Sequence, residues 1–189
     1  MDRIVVIGTS GSGKSTLAGR LAARLGLVHL ELDAFVHGPG WKSVPQVTFR
    51  RTLEERMATG GWVCDGNYFD RTDWVWQQAD TVIWLDMPLR LVLPRLVRRS
   101  IQRIVTREEL WNGNREEWTA LVGRDSVLTW AVKSHRRHAA ELPARLEALE
   151  KDGLAVERLC SPREVDQWWS RTFPDASGTE NRPGIDGRH

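Results

Sequence analysis

The segment Gly8-Thr9-Ser10-Gly11-Ser12-Gly13-Lys14-Ser15-Thr16 constrains this chain more than any other. It fits GxxxxGK(S/T), a loop whose glycines let successive backbone N–H groups turn inward around an anion, and whose following helix adds a favourable dipole. The flanking sequence agrees. Ile4 to Ile7 is a short β-branched apolar run of the kind a strand buried on both faces shows, and Leu17, Leu21 and Leu25 recur every four residues before Gly26. A chance match in a chain of this length is on the order of one in two hundred. The expected roles follow. The loop amides of Gly8, Ser10, Gly11, Ser12 and Gly13 cradle polyphosphate, Lys14 reaches the β and γ groups, the Ser15 hydroxyl ligates Mg2+, and Thr16 bonds the α phosphate. ATP and Mg2+ are therefore the predicted ligands. A dinucleotide-binding loop fits worse, because the glycine spacing differs and Lys14 stands where that fold needs none.

The rest of the chain alternates strand and helix patterns. Strands are expected at Ile4 to Ile7, Val28 to Leu32 ending at Asp33, Trp62 to Cys64 ending at Asp65, Thr81 to Leu85, and Ala155 to Leu159. Helical spacing is expected over Gln46 to Thr59, from Pro88 to about Val105 with Pro94 kinking it or marking its start, over 116 to 138, over 143 to 151, and over Pro162 to Ser170. Such alternation with apolar strands predicts an α/β fold, a parallel sheet covered by helices on both faces. With 189 residues and 41% apolar content, one domain is expected over about residues 1 to 170, followed by a polar, disordered tail to 189.

Composition excludes several classes. The formal net charge is only +2, which argues against a nucleic-acid coat or a membrane-surface binder. No apolar run approaches 18 residues, so no membrane span is expected. The opening strand runs straight into the glycine loop with no room for an export leader, and a cytoplasmic setting is the expectation. Cys64 and Cys160 form no CxxC pair and read as two buried strand-end thiols, not as a disulfide or zinc site. Among nucleotide-binding machines, an NKxD guanine reader and an LSGGQ-like segment are both missing, and the one DxxG begins at Asp175 in the expected tail. The acidic strand ends Asp33 and Asp65 would open at the same sheet edge as the phosphate loop. A kinase acting on a small acceptor fits best.

Several interior segments extend the pattern. LDAFVHGPGW at 32 to 41, WVCDGNY at 62 to 68, ADTVIWLDMP at 79 to 88 and an arginine-rich stretch leading to GNRE at 113 to 116 resemble the adenylate-kinase-related family often labelled "DNA topology modulation protein". The resemblance spans about residues 3 to 165. It implies a three-layer P-loop fold of the nucleoside-monophosphate-kinase type, with five parallel strands in the order 2-3-1-4-5 and a short lid over about 103 to 117. It also implies that Asp33 positions or deprotonates an acceptor, and that Asp65 acts near Mg2+ and its waters. Arg71 stands as an acceptor-phosphate ligand displaced by two positions from the family's DGFPR pattern, which weakens the case for AMP. Arg95 would stack on adenine and Arg99 approach the phosphates, while Arg107 and Arg115 flank the reduced lid. Lid closure would bring Arg99, Arg107 and Arg115 onto the transferring group.

Other residues are weighed on local grounds. Trp41 follows a GPG turn and is a candidate platform for the acceptor, with Gly66, Asn67 and Tyr68 beside it after Asp65. Asp86 reads as a helix cap before Pro88, and His135 with His138 lack a third metal ligand. The acceptor expected is a nucleotide or nucleoside-like molecule, and a monomer or a homodimer both fit. The alternative is a nucleotide-gated regulatory module that contacts DNA through its arginines, since residues 90 to 137 hold 11 basic side chains against five acidic ones.

Overall fold

The computed structural model describes residues 1–123 and 126–174. Five parallel strands form one sheet in the order β2-β3-β1-β4-β5, built from β1 (Arg3–Gly8), β2 (Val28–Glu31), β3 (Trp62–Asp65), β4 (Thr81–Leu85) and β5 (Ala155–Leu159). The helices are α1 (Lys14–Leu25), α2 (Leu32–Val36), α3 (Gln46–Met57), α4 (Phe69–Trp76), α5 (Leu89–Thr106), α6 (Val127–Lys151) and α7 (Pro162–Thr172). Short 3-10 turns lie at Pro39–Trp41, Trp111–Gly113 and Trp118–Ala120. This is the expected P-loop α/β architecture.

Alternation along the central strand divides the core in two. Ile4 and Val6 pack with Leu17 and Leu21 of α1, Val92 of α5 and Trp168 of α7. Val5 and Ile7 face the other way, with Phe49 and Leu53 of α3, Trp76 of α4, and Leu142 and Leu146 of α6. Three layers result, and the carboxyl ends of β1, β2 and β3 meet at one edge. At the other edge, β5 is only partly covered and Arg158 folds over Trp84 at 4.5 Å while bonding Asp86 at 2.6 Å. Asp86 is thus an ion-pair partner and not a helix cap.

Several expectations are corrected. Asp33 does not end a strand, because Leu32 and Val36 bury one side of a short helix and Asp33 lies in its first turn. Among the described residues, 116 to 123 hold no α-helix, only the 3-10 turn Trp118–Ala120, and the helices expected on either side of residue 140 are one continuous α6, whose buried Ala131, Ser134, His138, Leu142 and Leu146 keep a single helical stripe past Pro143. Pro94 likewise sits inside an unbroken α5. Short α4 was not anticipated at all. Cys64 is buried as expected, but Cys160 is exposed beyond the edge strand. The disordered tail expected from residue 171 does not begin there, because α7 continues through Thr172 and Phe173 packs against Trp168 and Trp169; the rest of that expected tail, from 175 onward, lies outside the described residues.

Pro143 is exposed and deprives α6 of one amide donor, so packing contributes nothing to its presence there. Pro143→Ala is expected to raise the unfolding free energy by about 1 to 2 kcal/mol, the regained helix propensity outweighing the looser unfolded chain. Urea melts would check this, and an unchanged or lower midpoint would refute it.

Candidate active site

The glycine loop leaves β1 at Gly8 and enters α1 at Lys14. Gly8 has φ of 154°, and a Cβ there would lie 2.6 Å from the Ser12 hydroxyl and 2.8 Å from the Leu85 carbonyl, so only glycine keeps the loop this close to β4. Inside the loop the Ser12 hydroxyl is buried without a hydrogen-bond partner, and Lys14 is buried with no acidic partner among the described residues. A buried ammonium and an orphaned hydroxyl beside inward-turning amides form a cradle that fits an anionic polyphosphate. Ser10 lines the adjoining cavity, whereas Thr16 is exposed on α1.

Asp65 ends β3 opposite this loop. The Ser15 hydroxyl donates to Asp65 Oδ2 at 2.6 Å, and His29 Nε2 of β2 lies 2.7 Å from Oδ1. The hydrogen bond to Asp65 raises the His29 pKa against the opposing pull of burial, with the Asp65 and Glu31 charges adding to the rise. Two hard oxygens at the mouth of the phosphate cradle are the donor set that Mg2+ prefers, so Ser15 and Asp65 would hold it. The following residues lock the geometry. Asn67 Oδ1 accepts from the Gly8 amide at 3.1 Å, and its Nδ2 donates to the Gly8 carbonyl at 2.6 Å. Gly66, with φ of 145°, lets the chain pass where a Cβ would lie 2.8 Å from Leu32 Cβ. Asn67 is therefore spent on the loop backbone.

Next to the cradle opens a cavity of about 890 Å³. Asp33, His37, Trp41, Tyr68 and Trp111 line one side of it, Arg99 and Arg103 of α5 another, and Trp130, Lys133, Arg137 and His138 of α6 a third. Tyr68 donates to Asp33 Oδ1 at 2.5 Å and stands 3.0 Å from His37 Nε2. Burial, and then the Asp33 charge, push the Tyr68 pKa upward and keep the phenol a donor. Trp41, held with φ of 58°, donates its amide to Asn114 Oδ1 at 2.9 Å and its indole N–H to the Arg115 carbonyl at 3.2 Å. Asn114 Nδ2 donates to the Gly38 carbonyl, Asn112 Nδ2 to those of Ala34 and His37, and Trp111 Nε1 to Glu31 at 2.8 Å. The stretch expected to be a lid is stitched to α2 and the turn after it.

The arginines divide. Arg99 and Arg115 line the cavity; Arg95 and Arg107 do not, Arg95 lying exposed on α5 one turn before Arg99 and Arg107 at its left-handed end. Surrounding protein desolvates Arg99 and, with the neighbouring Arg103 charge, lowers its pKa. Arg103 is committed to Glu116 at 2.9 Å. Arg71 lines the cavity, yet its guanidinium is occupied by Gln46 at 2.6 Å and the Val44 carbonyl at 2.6 Å. Sequence reasoning missed His29, His37, Trp111, Asn114, Lys133 and Arg137. Only the last two carried a usable signal, their spacing with Trp130 and His138 on one helical face.

His138 is buried edge-on against Phe69, and burial first, then the Arg137 and His135 charges, pushes its pKa down to about 4. The unfolded chain takes up a proton below its ordinary value near 6.5 while the folded imidazole stays neutral, so stability is full above that pH and falls toward 4. The loss attributable to this group is about 3 kcal/mol between pH 7 and 4. In urea melts across that window His138→Gln is expected to flatten the decline by that amount, and an equal slope in both proteins would count against the assignment.

Comparison with known proteins adds an independent line. The family model described as an AAA domain matches residues 4–84. A shikimate kinase of Gloeobacter violaceus is 31% identical over 159 residues, covering 74% of this chain and 85% of that protein. A shikimate kinase of Synechococcus elongatus is 27% identical over 140 residues, covering 61% and 72%. The Bacillus subtilis protein YqaC is 27% identical over 165 residues, covering 82% and 92%.

Proposed function

This chain belongs to the family of P-loop kinases that includes the shikimate kinases, and from that premise we propose that it transfers the γ-phosphoryl group of ATP to a hydroxyl of a small acceptor held beside Asp33. The observation that carries the reading is one cavity in which the buried Lys14 ammonium and the Asp33 carboxylate face the same space. The GPGW, DGNY and GNRE segments support a finer kinship, with the adenylate-kinase-related proteins labelled "DNA topology modulation protein".

The chemistry assigned to each residue follows from its surroundings. Lys14 and the loop amides offset charge on the β and γ phosphates. Mg2+, held by Ser15 and Asp65, would neutralise part of the charge on the phosphates. Asp33 accepts the proton of the acceptor hydroxyl as the new O–P bond forms and the bond to the β-phosphate oxygen breaks. Arg99, Arg115, Lys133 and Arg137 line the same space, and those free to reach the equatorial oxygens stabilise the transition state. Residues 1 to 170 are proposed to form one kinase domain with a short lid over about 103 to 117, whose 110–116 stretch clamps the acceptor side. Arg71, already spent on Gln46 and Val44, has little left for an acceptor phosphate, which favours an unphosphorylated hydroxyl compound, nucleoside-like or a cyclic polyol of the shikimate kind.

ADP release from Mg-ATP against shikimate, nucleosides, nucleoside monophosphates and small polyols tests this. At least one hydroxyl acceptor is expected to raise the rate about tenfold or more over the water background, with Asp33→Asn losing about 10² to 10⁴ of that rate and Lys14→Ala also losing tight ATP binding. Tight ATP binding with no acceptor response anywhere in the panel would end the kinase reading.

A further inference from the structure

A carboxylate that takes one proton uses one of its two oxygens, and the structure occupies the other. Tyr68 Oη lies 2.5 Å from Asp33 Oδ1 and 3.0 Å from His37 Nε2. A phenol has a single proton and cannot donate in both directions. The shorter contact, to a carboxylate, claims it, so His37 must carry its own proton on Nε2 and donate to the phenolic oxygen. Asp33 Oδ2 has no protein donor among the described residues.

We infer that His37 and Tyr68 are positioning residues for Asp33: a donor chain from His37 Nε2–H to Tyr68 Oη–H to Asp33 Oδ1 fixes the carboxylate and leaves Oδ2 alone to receive the acceptor's proton. This rests on the reading above that Asp33 acts on the acceptor hydroxyl. Its consequence is specificity, because a polyol meets one fixed accepting atom and only the hydroxyl seated against it is transferred to.

The chain is rigid at every link. Asp33 lies in the first turn of α2 and His37 just past its end, and the His37 amide donates to the Asp33 carbonyl at 3.1 Å. The imidazole stacks on Trp111 at 6.2 Å and meets Trp41 edge-on at 5.4 Å, while its carbonyl accepts from Asn112 at 2.6 Å. Burial and the Asp33 charge keep Tyr68 protonated, so it remains a donor.

Long-range ¹H–¹⁵N correlation spectra of the full-length protein read the tautomer directly, and with five histidines in the chain His37 is assigned by its loss in His37→Gln. The expected result is the Nε2–H tautomer, becoming a mixture in Tyr68→Phe. A His37 protonated on Nδ1, with Nε2 accepting, would overturn the proposal, because Tyr68 would then donate away from Asp33. Turnover of Mg-ATP with shikimate as the acceptor probe supplies the second readout. Tyr68→Phe and His37→Leu are each expected to lower kcat about tenfold with KM little changed, the effect of one lost charge-assisted hydrogen bond. His37→Gln, whose amide can still donate, is expected to recover most of the rate, and His37→Leu to add nothing in the Tyr68→Phe background. Multiplicative losses in the double variant would also overturn the donor chain. Failure of shikimate to be phosphorylated bears on the acceptor reading alone, and the tautomer then decides.

Discussion

The functional edge of this fold depends on a lock between two neighbouring parallel strands. Asn67, just past β3, spends both ends of its amide on the Gly8 backbone at the end of β1, and Asp65 takes the Ser15 hydroxyl from the first turn of α1. Parallel pairing alone fixes the register of β1 against β3, but it says nothing about the loops beyond them. With the amide and hydroxyl bonds in place, the phosphate loop and the segment leading to Tyr68 share one frame. The left-handed Gly66 makes this possible by letting that segment pass over Leu32 without a side chain in the way.

Around this frame the cations of the cavity fall into two groups. Arg103 is tied to Glu116, Arg71 to Gln46 and the Val44 carbonyl, and Arg137 to Glu141, so each already has acceptors for much of its donor capacity. Lys14, Arg99 and Lys133 line the same cavity and have no acidic partner within 4.0 Å among the described residues. A concave site that gathers uncommitted positive charge from a loop and two helices is poised for an anion brought from outside. The committed arginines, in contrast, build walls. Arg71 packs over Phe49 at 4.9 Å and joins α4 to the start of α3, a structural task that the sequence pattern gave no means of separating from ligand binding.

What was legible in the chain was what local physics decides. The β-branched runs at Ile4 and Thr81, the leucine spacing of α1 and the glycines of the loop all specify their elements through near-neighbour rules, and the sheet order followed from a recognisable resemblance. Three of the features that escaped have a definite physical cause. The short helix α2 was hidden because five residues are too few for a periodic signal, so Asp33 seemed to end a strand. The continuity of α6 was hidden because Pro143 reads as a breaker, although the buried stripe on either side overrides it. The union of the 110–115 stretch with α2 was hidden because Asn112 and Asn114 act on backbone carbonyls about 75 residues away, a partnership that no pattern of side chains encodes.

The displacement of Asp33 from strand to helix changes the chemistry available to it. Four residues along a strand separate side chains by about 13 Å, whereas four along a helix separate them by about 6 Å on the same face. Only the helical arrangement puts His37 within reach of a phenol that also touches Asp33. A strand-end carboxylate would have been supported by backbone alone, free to rotate and to present either oxygen. Here the single turn of α2, capped from one side by the aromatic pair Trp41 and Trp111 and from the other by Tyr68, turns a flexible carboxylate into one with a defined accepting atom. In a cavity of about 890 Å³, large enough to admit several orientations of a small polyol, that fixed atom is what can choose among them.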